Sequence, residues 1–301
     1  MPTPTDSAVP FVEVGAVARS RLSAYLALTK PRIIELLLIT TVPAMVLAAG
    51  RWPGTWLVVA TLIGGTMSAG GANALNSFYD RDIDAVMRRT RARPLARHEV
   101  PPRNALIFGV GLGIGGLAWL WLTTNLLAAA ISTTALLFYV LVYTMTLKRS
   151  TPQNIVIGGA AGAAPTLVGW SAVAGSLGVA AWVLFLIVFY WTPPHFWALA
   201  VRYSDDYEAA GVPMLPVVAG VEATTRRMLL YTGLTVGVSL LLVPLGGMSW
   251  IYLLAALALG SWFLWDTWRV VTEPDRAMRL FTTSTFYLSA LFAAVLLDVL
   301  I

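Results

Sequence analysis

The sequence contains no cysteine, only two histidines and few charged residues. Without cysteine the chain has no disulfide bonds and no metal site built from thiolates. Charged residues make up only 12% of the 301 residues and hydrophobic residues 58%, with a mean hydropathy of +0.75. A soluble domain does not need that much apolar surface, so the composition predicts an integral membrane protein.

Apolar runs recur along the chain, and several approach the ~20 residues with which a helix spans a bilayer. We predict nine transmembrane helices, because an open sheet edge cannot satisfy its backbone groups in lipid. Residues 30–301 then form one transmembrane domain, and residues 1–29 form a cytoplasmic tail that is partly disordered. The predicted spans are residues 33–50, 56–76, 104–122, 126–147, 154–174, 179–200, 228–246, 250–268 and 280–300.

The basic residues support this number of spans. Of the 20 lysines and arginines, 19 lie before span 1, in the connections that follow spans 2, 4, 6 and 8, or within a residue or two of those ends. Arg51 alone lies on the opposite side. The positive-inside rule then places the amino terminus and these connections in the cytoplasm, and the carboxyl terminus outside.

The same topology accounts for the net charge of +5. Because the basic connections would face an anionic lipid leaflet, we expect the bilayer as a partner and no nucleic acid. The amino-terminal residues carry neither a secretory signal nor an Arg-rich transit peptide, which indicates the inner membrane of a bacterium.

The two longest cytoplasmic connections, residues 77–103 and 201–227, follow spans 2 and 6, and both begin with acidic residues. Spans 2 and 6 run in the same direction. This pattern predicts two parallel four-helix halves around a central cavity, with a ninth helix appended. A parallel repeat would bring the two acidic connections together over that cavity.

Asn76, Asp80 and Asp84 stand at the start of the first of these connections, spaced i, i+4 and i+8. On a helix such side chains fall near one face, about 6 Å apart along the axis. Like charges one turn apart repel unless a cation lies between them, and Mg²⁺ prefers carboxylate or amide oxygens together with substrate phosphates. The spacing therefore predicts a metal site, and at a membrane boundary it indicates a site for a lipid diphosphate.

Four basic residues near this face are candidate ligands for a diphosphate. Arg89 and Arg93 follow Asp84 in an Arg-rich stretch, and Lys148 and Arg149 end span 4. Arginine binds phosphate through a planar two-point fork, and Lys148 and Arg149 are catalytic candidates because they could neutralise a leaving diphosphate. The alternatives are a solvated salt-bridge network for the arginines and topology anchors for the pair at span 4.

The second acidic connection carries Asp205 and Asp206. Adjacent residues cannot share one helix face, and an ordinary polar helix end is one interpretation. Their position nevertheless parallels that of Asp80 and Asp84, and the Gly and Pro residues that follow indicate a shaped loop. We therefore predict Asp205 and Asp206 as further metal ligands.

His195 lies inside span 6, in a segment with two prolines and several aromatic residues. An ionisable side chain in a membrane span indicates function, and the prolines remove backbone donors and favour a bend. This segment predicts a seat for a large flat ligand, or a side chain that binds the iron of such a ligand. The alternative is a histidine hydrogen-bonded within a kinked helix.

Together these segments resemble the protohaem IX farnesyltransferases (haem O synthases) of the UbiA superfamily of intramembrane prenyltransferases. The Asn-x-x-x-Asp-x-x-x-Asp element marks the superfamily, whereas the Thr-Pro-Pro-His-Phe-Trp and Pro-Met-Leu-Pro blocks are similar to the haem O branch specifically. The likeness runs from about residue 30 to the end of span 9. The matching stretches are residues 73–95, 147–159, 191–199 and 206–216.

The resemblance implies Mg²⁺-dependent transfer of a farnesyl group from farnesyl diphosphate to a vinyl group of haem B, giving haem O and diphosphate. It also implies that Asn76, Asp80 and Asp84 hold the metal, and it makes a haem A-forming enzyme acting downstream a candidate partner. The broader superfamily has a second Asp-x-x-x-Asp element, for which this chain has Tyr203 and Tyr207. The ligands of a second metal site would therefore differ here.

Two other functions fit part of these features. A prenyltransferase acting on an aromatic quinone precursor would keep Asp80 and Asp84 but would not need His195. A membrane transporter would place its acids nearer the bilayer midplane. Because both acidic connections lie on one side of the membrane, we expect an enzyme.

Overall fold

The computed structural model describes residues 20–301, without the side chains of residues 33 and 35–37, and this range contains only helices and their connections. The prediction of an all-α protein is confirmed. The predictions for residues 1–19 lie outside the described range.

The helices are α1 (Arg21–Thr29), α2 (Pro31–Ala49), α3 (Thr55–Tyr79), α4 (Arg81–Val86), α5 (Pro102–Thr123), α6 (Leu126–Leu137), a π-helix (Phe138–Leu147), α7 (Lys148–Ser150), α8 (Asn154–Ala174), α9 (Val179–Arg202), α10 (Ser204–Ala209), α11 (Leu215–Leu240), α12 (Leu242–Gly246), α13 (Trp250–Thr272), a 3-10 helix (Pro274–Arg276) and α14 (Ala277–Leu300).

Eight helical stretches in the described residues are long and apolar enough to cross a membrane, and α2 adds a shorter apolar stretch, Leu38–Ala49. These nine segments correspond in order to the predicted spans. The chain is thus a multi-pass membrane protein, as its composition predicts.

Two differences from the prediction go beyond shifts of a few residues at the ends of spans. Part of the expected tail is helix α1, whose first turn is capped by the Ser20 side chain and whose Ala24 and Leu28 are buried. The seventh span starts earlier than residue 228, at Leu215, because Pro216 stands in the first turn, where its missing N–H costs little. Its path bends at Gly220, which has a φ of 79°.

Helix α3 packs closely along α5, and glycine makes this approach feasible. A Cβ added to Gly71 would lie 2.7 Å from the carbonyl oxygen of Gly109 and 2.9 Å from the amide nitrogen of Gly113. Small residues let the backbones of two membrane helices come together without a hydrophobic driving force. This contact fixes α3, whose last turn carries Asn76.

The remaining long helices close around this pair as two halves and an appended helix. Helix α8 contacts α2, α6 and α9, so that it joins the first half to the second. Helix α9 also packs against α11 and α14, and α14 in turn contacts α13 and α2. The last helix therefore closes the bundle between the second half and the start of the first, which confirms the predicted arrangement.

We expect Gly71→Ala to lower the midpoint of thermal unfolding by several degrees, because the added methyl group meets backbone atoms that cannot yield; overpacking of this kind costs about 1–3 kcal/mol. The matched control is Gly65→Ala on the same helix, where nothing lies within 4 Å of an added Cβ. Intrinsic tryptophan fluorescence of the detergent-solubilised protein measures both midpoints. Equal midpoints for the two variants would contradict the close α3–α5 contact.

Candidate active site

Four connections meet at one end of the bundle, which we call the rim. They are the α1–α2 junction, the first connection (residues 80–101), the turn at residues 148–153 and the second connection (residues 203–214). Side-chain hydrogen bonds join them, including one from Arg88 in the first connection to Asp206 in the second. The expectation that the two acidic connections come together is confirmed.

Asn76, Asp80 and Asp84 form a stack of oxygen-bearing side chains at the rim, which we call the triad. The amide of Asp80 donates to the carbonyl of Asn76 at 2.9 Å, and the amide of Asp84 donates to that of Asp80 at 2.8 Å. The helical path of α3 thus continues through Asp80 into α4 and places the three residues one turn apart, as the spacing predicts. All three are buried, with 3%, 0% and 2% of their surface exposed.

Each member of the triad binds a cationic side chain, and each of these cations comes from a different connection. Buried carboxylates require such partners, because an uncompensated charge in the interior is costly. The pairs are Lys30 Nζ with Asn76 Oδ1 at 2.6 Å, Lys148 Nζ with Asp80 Oδ2 at 2.5 Å, and Arg93 Nη1 with Asp84 Oδ1 and Oδ2 at 2.7 and 2.8 Å.

Lys30 is a site residue that the sequence analysis missed. It links α1 to α2 in a left-handed conformation, with a φ of 53° and a ψ of 62°. A residue other than glycine in this region carries strain, and such strain is concentrated at functional sites. Burial lowers the pKa of its ammonium group well below the usual value, and Arg93 adds to this while Asp84 and Asp80 oppose it. Its only signal in the sequence is a lysine just before the proline that starts the first span.

The amide of Asn76 is fixed by the π-helix. Its Nδ2 donates to Asp80 Oδ2 at 2.7 Å and to Thr144 Oγ1 at 3.1 Å. Thr144 is fully buried and donates in turn to the carbonyl of Tyr139, five residues earlier. Thr144 thus reaches Asn76 from within the π-helix, and such turns occur frequently at functional sites.

One oxygen of the triad is left over. Oδ1 of Asp80 is buried and accepts no hydrogen bond from the described residues, and Arg149 Nη2 lies 4.0 Å from it. An amide oxygen and two carboxylates within two turns, one of them with an unused buried acceptor, form a donor set that suits Mg²⁺ or Mn²⁺. Within residues 20–301 no three His, Cys, Asp or Glu residues cluster as a metal site, and the triad brings together two carboxylates and one amide.

Arg149 lies beside the triad but is held by another acid. Its guanidinium donates to both oxygens of the exposed Asp82, at 2.8 and 2.7 Å, and to the carbonyl of Tyr79 at 3.0 Å. Hydrogen bonding to Arg149 lowers the pKa of Asp82 to about 2, although partial burial opposes the shift. The pair lines a cleft of about 250 Å³ between α4 and the second connection. The catalytic and diphosphate-binding roles of Arg149 stay predictions.

The two acids of the second connection lie in different surroundings. Asp206 is buried and accepts from Arg88 Nε at 2.9 Å and from the backbone amide of Arg89 at 3.1 Å. Asp205 is exposed, and its carboxylate accepts from Ser204 at 3.4 Å. Asp206 therefore ties the second connection to the first. The prediction of both residues as metal ligands stays a prediction.

His195 lies on α9, which continues as a helix past it, and its side chain is buried against α14. Its ring stacks on Trp191 with centroids 4.2 Å apart and on Phe281 with centroids 4.3 Å apart. Its Nδ1 lies 2.8 Å from the hydroxyl of Ser284. The histidine thus fastens α9 to α14, and its predicted role in binding haem is left as a prediction.

We expect Asp206→Asn to loosen the first connection, because the buried carboxylate holds both Arg88 and the amide of Arg89. Limited digestion with trypsin, which cleaves after arginine, measures this: cleavage at Arg88 and Arg89 should become several-fold faster. The matched control is Glu208→Gln, an exposed acid on the same short helix, which should leave the rate unchanged. Equal rates for the two variants would show that Asp206 does not hold the connection.

The sequence is similar to those of known membrane prenyltransferases. The chain matches the UbiA prenyltransferase family over residues 37–295. It is 53% identical over 294 residues to the protoheme IX farnesyltransferase of Clavibacter michiganensis subsp. michiganensis, with 96% of each chain covered. It is 55% identical over 285 residues to the protoheme IX farnesyltransferase 1 of Saccharopolyspora erythraea, with 93% of this chain and 91% of that protein covered.

Solved structures share the fold. A digeranylgeranylglyceryl phosphate synthase has a TM-score of 0.76 at 20% identity, covering 93% of this chain and 98% of its own. A UbiA homologue from Archaeoglobus fulgidus bound to DMAPP and Mg²⁺ has a TM-score of 0.60 at 17% identity, covering 90% of this chain and 98% of its own. By the identity to the two farnesyltransferases and the match over most of its length, the chain belongs to the protohaem IX farnesyltransferases of the UbiA prenyltransferase family.

Proposed function

We propose that the chain transfers the farnesyl group of farnesyl diphosphate to a vinyl group of haem B, giving haem O and diphosphate, with Mg²⁺ as cofactor. The observation that carries this proposal is the triad: three buried oxygen donors one turn apart, each bonded to a cation from a separate connection. The curated relatives with this activity named are more than half identical over nearly the whole chain. A homologue of the same fold binds DMAPP and Mg²⁺ together.

In this proposal the triad and its cations hold the diphosphate end of the substrate. Mg²⁺ held by Asn76, Asp80 and Asp84 would supply positive charge that stabilises the leaving group. Lys148 and Arg93 lie against the same carboxylates and can turn their N–H groups to phosphate oxygens. When the allylic C–O bond breaks, its electron pair stays on the diphosphate oxygen, so the catalytic demand on these residues is fixed positive charge rather than proton transfer.

The acceptor half of the reaction needs an apolar cavity and one water molecule. The allylic carbon bonds to the terminal carbon of the haem vinyl group, which moves the positive charge to the carbon beside the porphyrin ring. Water adds there and loses a proton, so that a hydroxyl group remains. Membrane-embedded walls would exclude water until this step. The aromatic stack of Trp191, His195 and Phe281 is the surface that we assign to the flat haem, with His195 as the binding residue.

The basic connections support a cytoplasmic position for this site. Lys30, Lys148 and the arginines of the first connection all lie at the rim, and the positive-inside rule assigns such an end to the cytoplasm. We therefore propose a bacterial inner-membrane protein whose amino terminus and catalytic rim face the cytoplasm and whose carboxyl terminus lies outside. A haem A-forming enzyme that consumes haem O stays a predicted partner.

The test is to incubate the purified protein with Mg²⁺, farnesyl diphosphate and haem B, and to search by mass spectrometry for haem plus farnesyl plus hydroxyl. We expect product from the wild type, and a loss of roughly 10²-fold or more in Asp80→Ala, the size of effect seen when a preorganised charge-stabilising group is removed. Asp275→Ala, which changes an exposed acid in the connection between α13 and α14, is the control. Prenylation of an aromatic quinone precursor instead of haem would show that the quinone precursor, and not haem B, is the acceptor. Full activity of Asp80→Ala would refute the metal site.

Lys30 offers a second prediction, because two variants separate its charge from its backbone strain. Lys30→Met removes the ammonium group and keeps a side chain in the left-handed region, whereas Lys30→Gly removes the ammonium group and relieves the strain. We expect both to raise the KM for farnesyl diphosphate by about 10-fold or more, as the loss of a charge-assisted hydrogen bond implies. Only Lys30→Gly should match the wild type in thermal stability.

The control for this pair is Arg32→Met, which removes an exposed cation two residues away. It should change neither the KM nor the unfolding midpoint. A Lys30→Gly variant with the wild-type KM would show that Lys30 serves the turn and not the substrate.

A further inference from the structure

The second connection, where a second pair of metal-binding acids was expected, holds Arg89 of the first connection. Both oxygens of Asp206 are engaged by the first connection, through Arg88 Nε and the amide of Arg89. Asp205 is exposed and lies beside Ser204. Among the described residues, this connection therefore offers no pair of buried carboxylates that converge on one point.

Two tyrosines of the second connection hold the guanidinium of Arg89 in place. It lies 5.7 Å from the ring centroid of Tyr203 and 5.9 Å from that of Tyr207, within the range of cation–π attraction. Its Nη2 also donates to the hydroxyl of Tyr207 at 3.2 Å. In the part of the chain that the structure describes, no carboxylate forms an ion pair with this guanidinium, in contrast to Arg88, Arg93 and Arg149.

Arg89 lies in a part of the first connection that is bonded to the triad. Thr90, the next residue, donates from Oγ1 to the carbonyl of Asp84 at 3.1 Å, while the amide of Arg89 donates to Asp206. This part of the first connection thus bridges the triad and the second connection. The guanidinium brings a planar donor fork there, with four N–H groups beyond the one bonded to Tyr207.

We propose that Arg89, clamped by Tyr203 and Tyr207 and fixed by Asp206 through its backbone, supplies the positive charge on the second-connection side of the diphosphate, and that the chain binds a single divalent cation, at the triad. This inference rests on the proposed function and deepens it. Arg89 would donate hydrogen bonds to the phosphate oxygens that receive the electron pair of the broken C–O bond, and no proton needs to change hands. The second connection then orders an arginine instead of ligating a metal.

The first test counts metal ions. Purified protein is titrated with Mn²⁺ in the presence of inorganic diphosphate, and bound Mn²⁺ is measured by electron paramagnetic resonance. We expect one Mn²⁺ per chain in the wild type, in Asp205→Asn and in Asp206→Asn, and none at the same concentrations in Asp80→Asn. Two ions in the wild type, with one lost in either variant of the second connection, would overturn the proposal.

The second test measures the affinity for inorganic diphosphate by calorimetry at saturating Mn²⁺. We expect Arg89→Met to weaken binding at least 10-fold and Tyr207→Phe, which keeps the ring and loses the hydroxyl, to weaken it about threefold, with the metal count still one. Arg89→Lys should restore only part of the affinity, because an ammonium lacks the planar fork that stacks on the tyrosines. The control is Glu208→Gln, which should bind as the wild type does.

Unchanged affinity in Arg89→Met would refute the role of Arg89. Should Arg89→Met fail to fold, as judged by its elution in size-exclusion chromatography, Tyr207→Phe decides the question, since it leaves the packing of the ring intact. Both measurements use inorganic diphosphate and need neither haem nor a prenyl chain. A protein that passes them but makes no haem O would therefore disprove the acceptor and leave this inference standing.

Discussion

Charge compensation in a buried setting governs the rim. Asp80, Asp84 and Asp206 are almost fully buried, and an unpaired carboxylate in such surroundings costs several kcal/mol. Asp80 and Asp206 are each paired with a lysine or arginine from another connection, and Asp84 is paired with Arg93 of its own connection. Compensation across connections means that the acids and bases fix one another's positions. The rim is therefore ordered by the same charges that its chemistry would use, and the loss of one charge disturbs both.

Single residues in the helices position the acids and bases of this network. Gly71 lets α3 approach α5, so that the last turn of α3 ends where Lys148 can reach it. Thr144 of the π-helix accepts a hydrogen bond from the side-chain amide of Asn76. Lys30, in its left-handed turn, donates to the oxygen of the same amide. Each feature departs from a regular helix or from ordinary packing. Such local departures are the expected cost of placing polar groups at one point inside a membrane bundle.

What the sequence could predict follows from how local each property is. The triad was predictable because helical spacing is set by neighbouring residues alone, and the nine spans were predictable because hydropathy and the distribution of arginine are local too. Lys30 was not, since a lysine before a first span looks the same whether it anchors the topology or turns back onto α3. The difference between Asp205 and Asp206, one exposed and one buried, depends on how α10 packs, which adjacent positions do not reveal. The contacts of His195 likewise depend on the position of α14, which carries Phe281 and Ser284.

The charges at the triad also explain why metal and substrate would bind as one unit. Three basic side chains, Lys30, Lys148 and Arg93, face two carboxylates there, so that basic groups are in excess. A divalent cation alone would enlarge the excess, and a prenyl diphosphate alone, with about three negative charges at neutral pH, would reverse it. Only the two together leave the buried rim close to neutral. Each ligand therefore lowers the electrostatic cost of binding the other, which is positive cooperativity, with a favourable coupling free energy that acts equally in both directions.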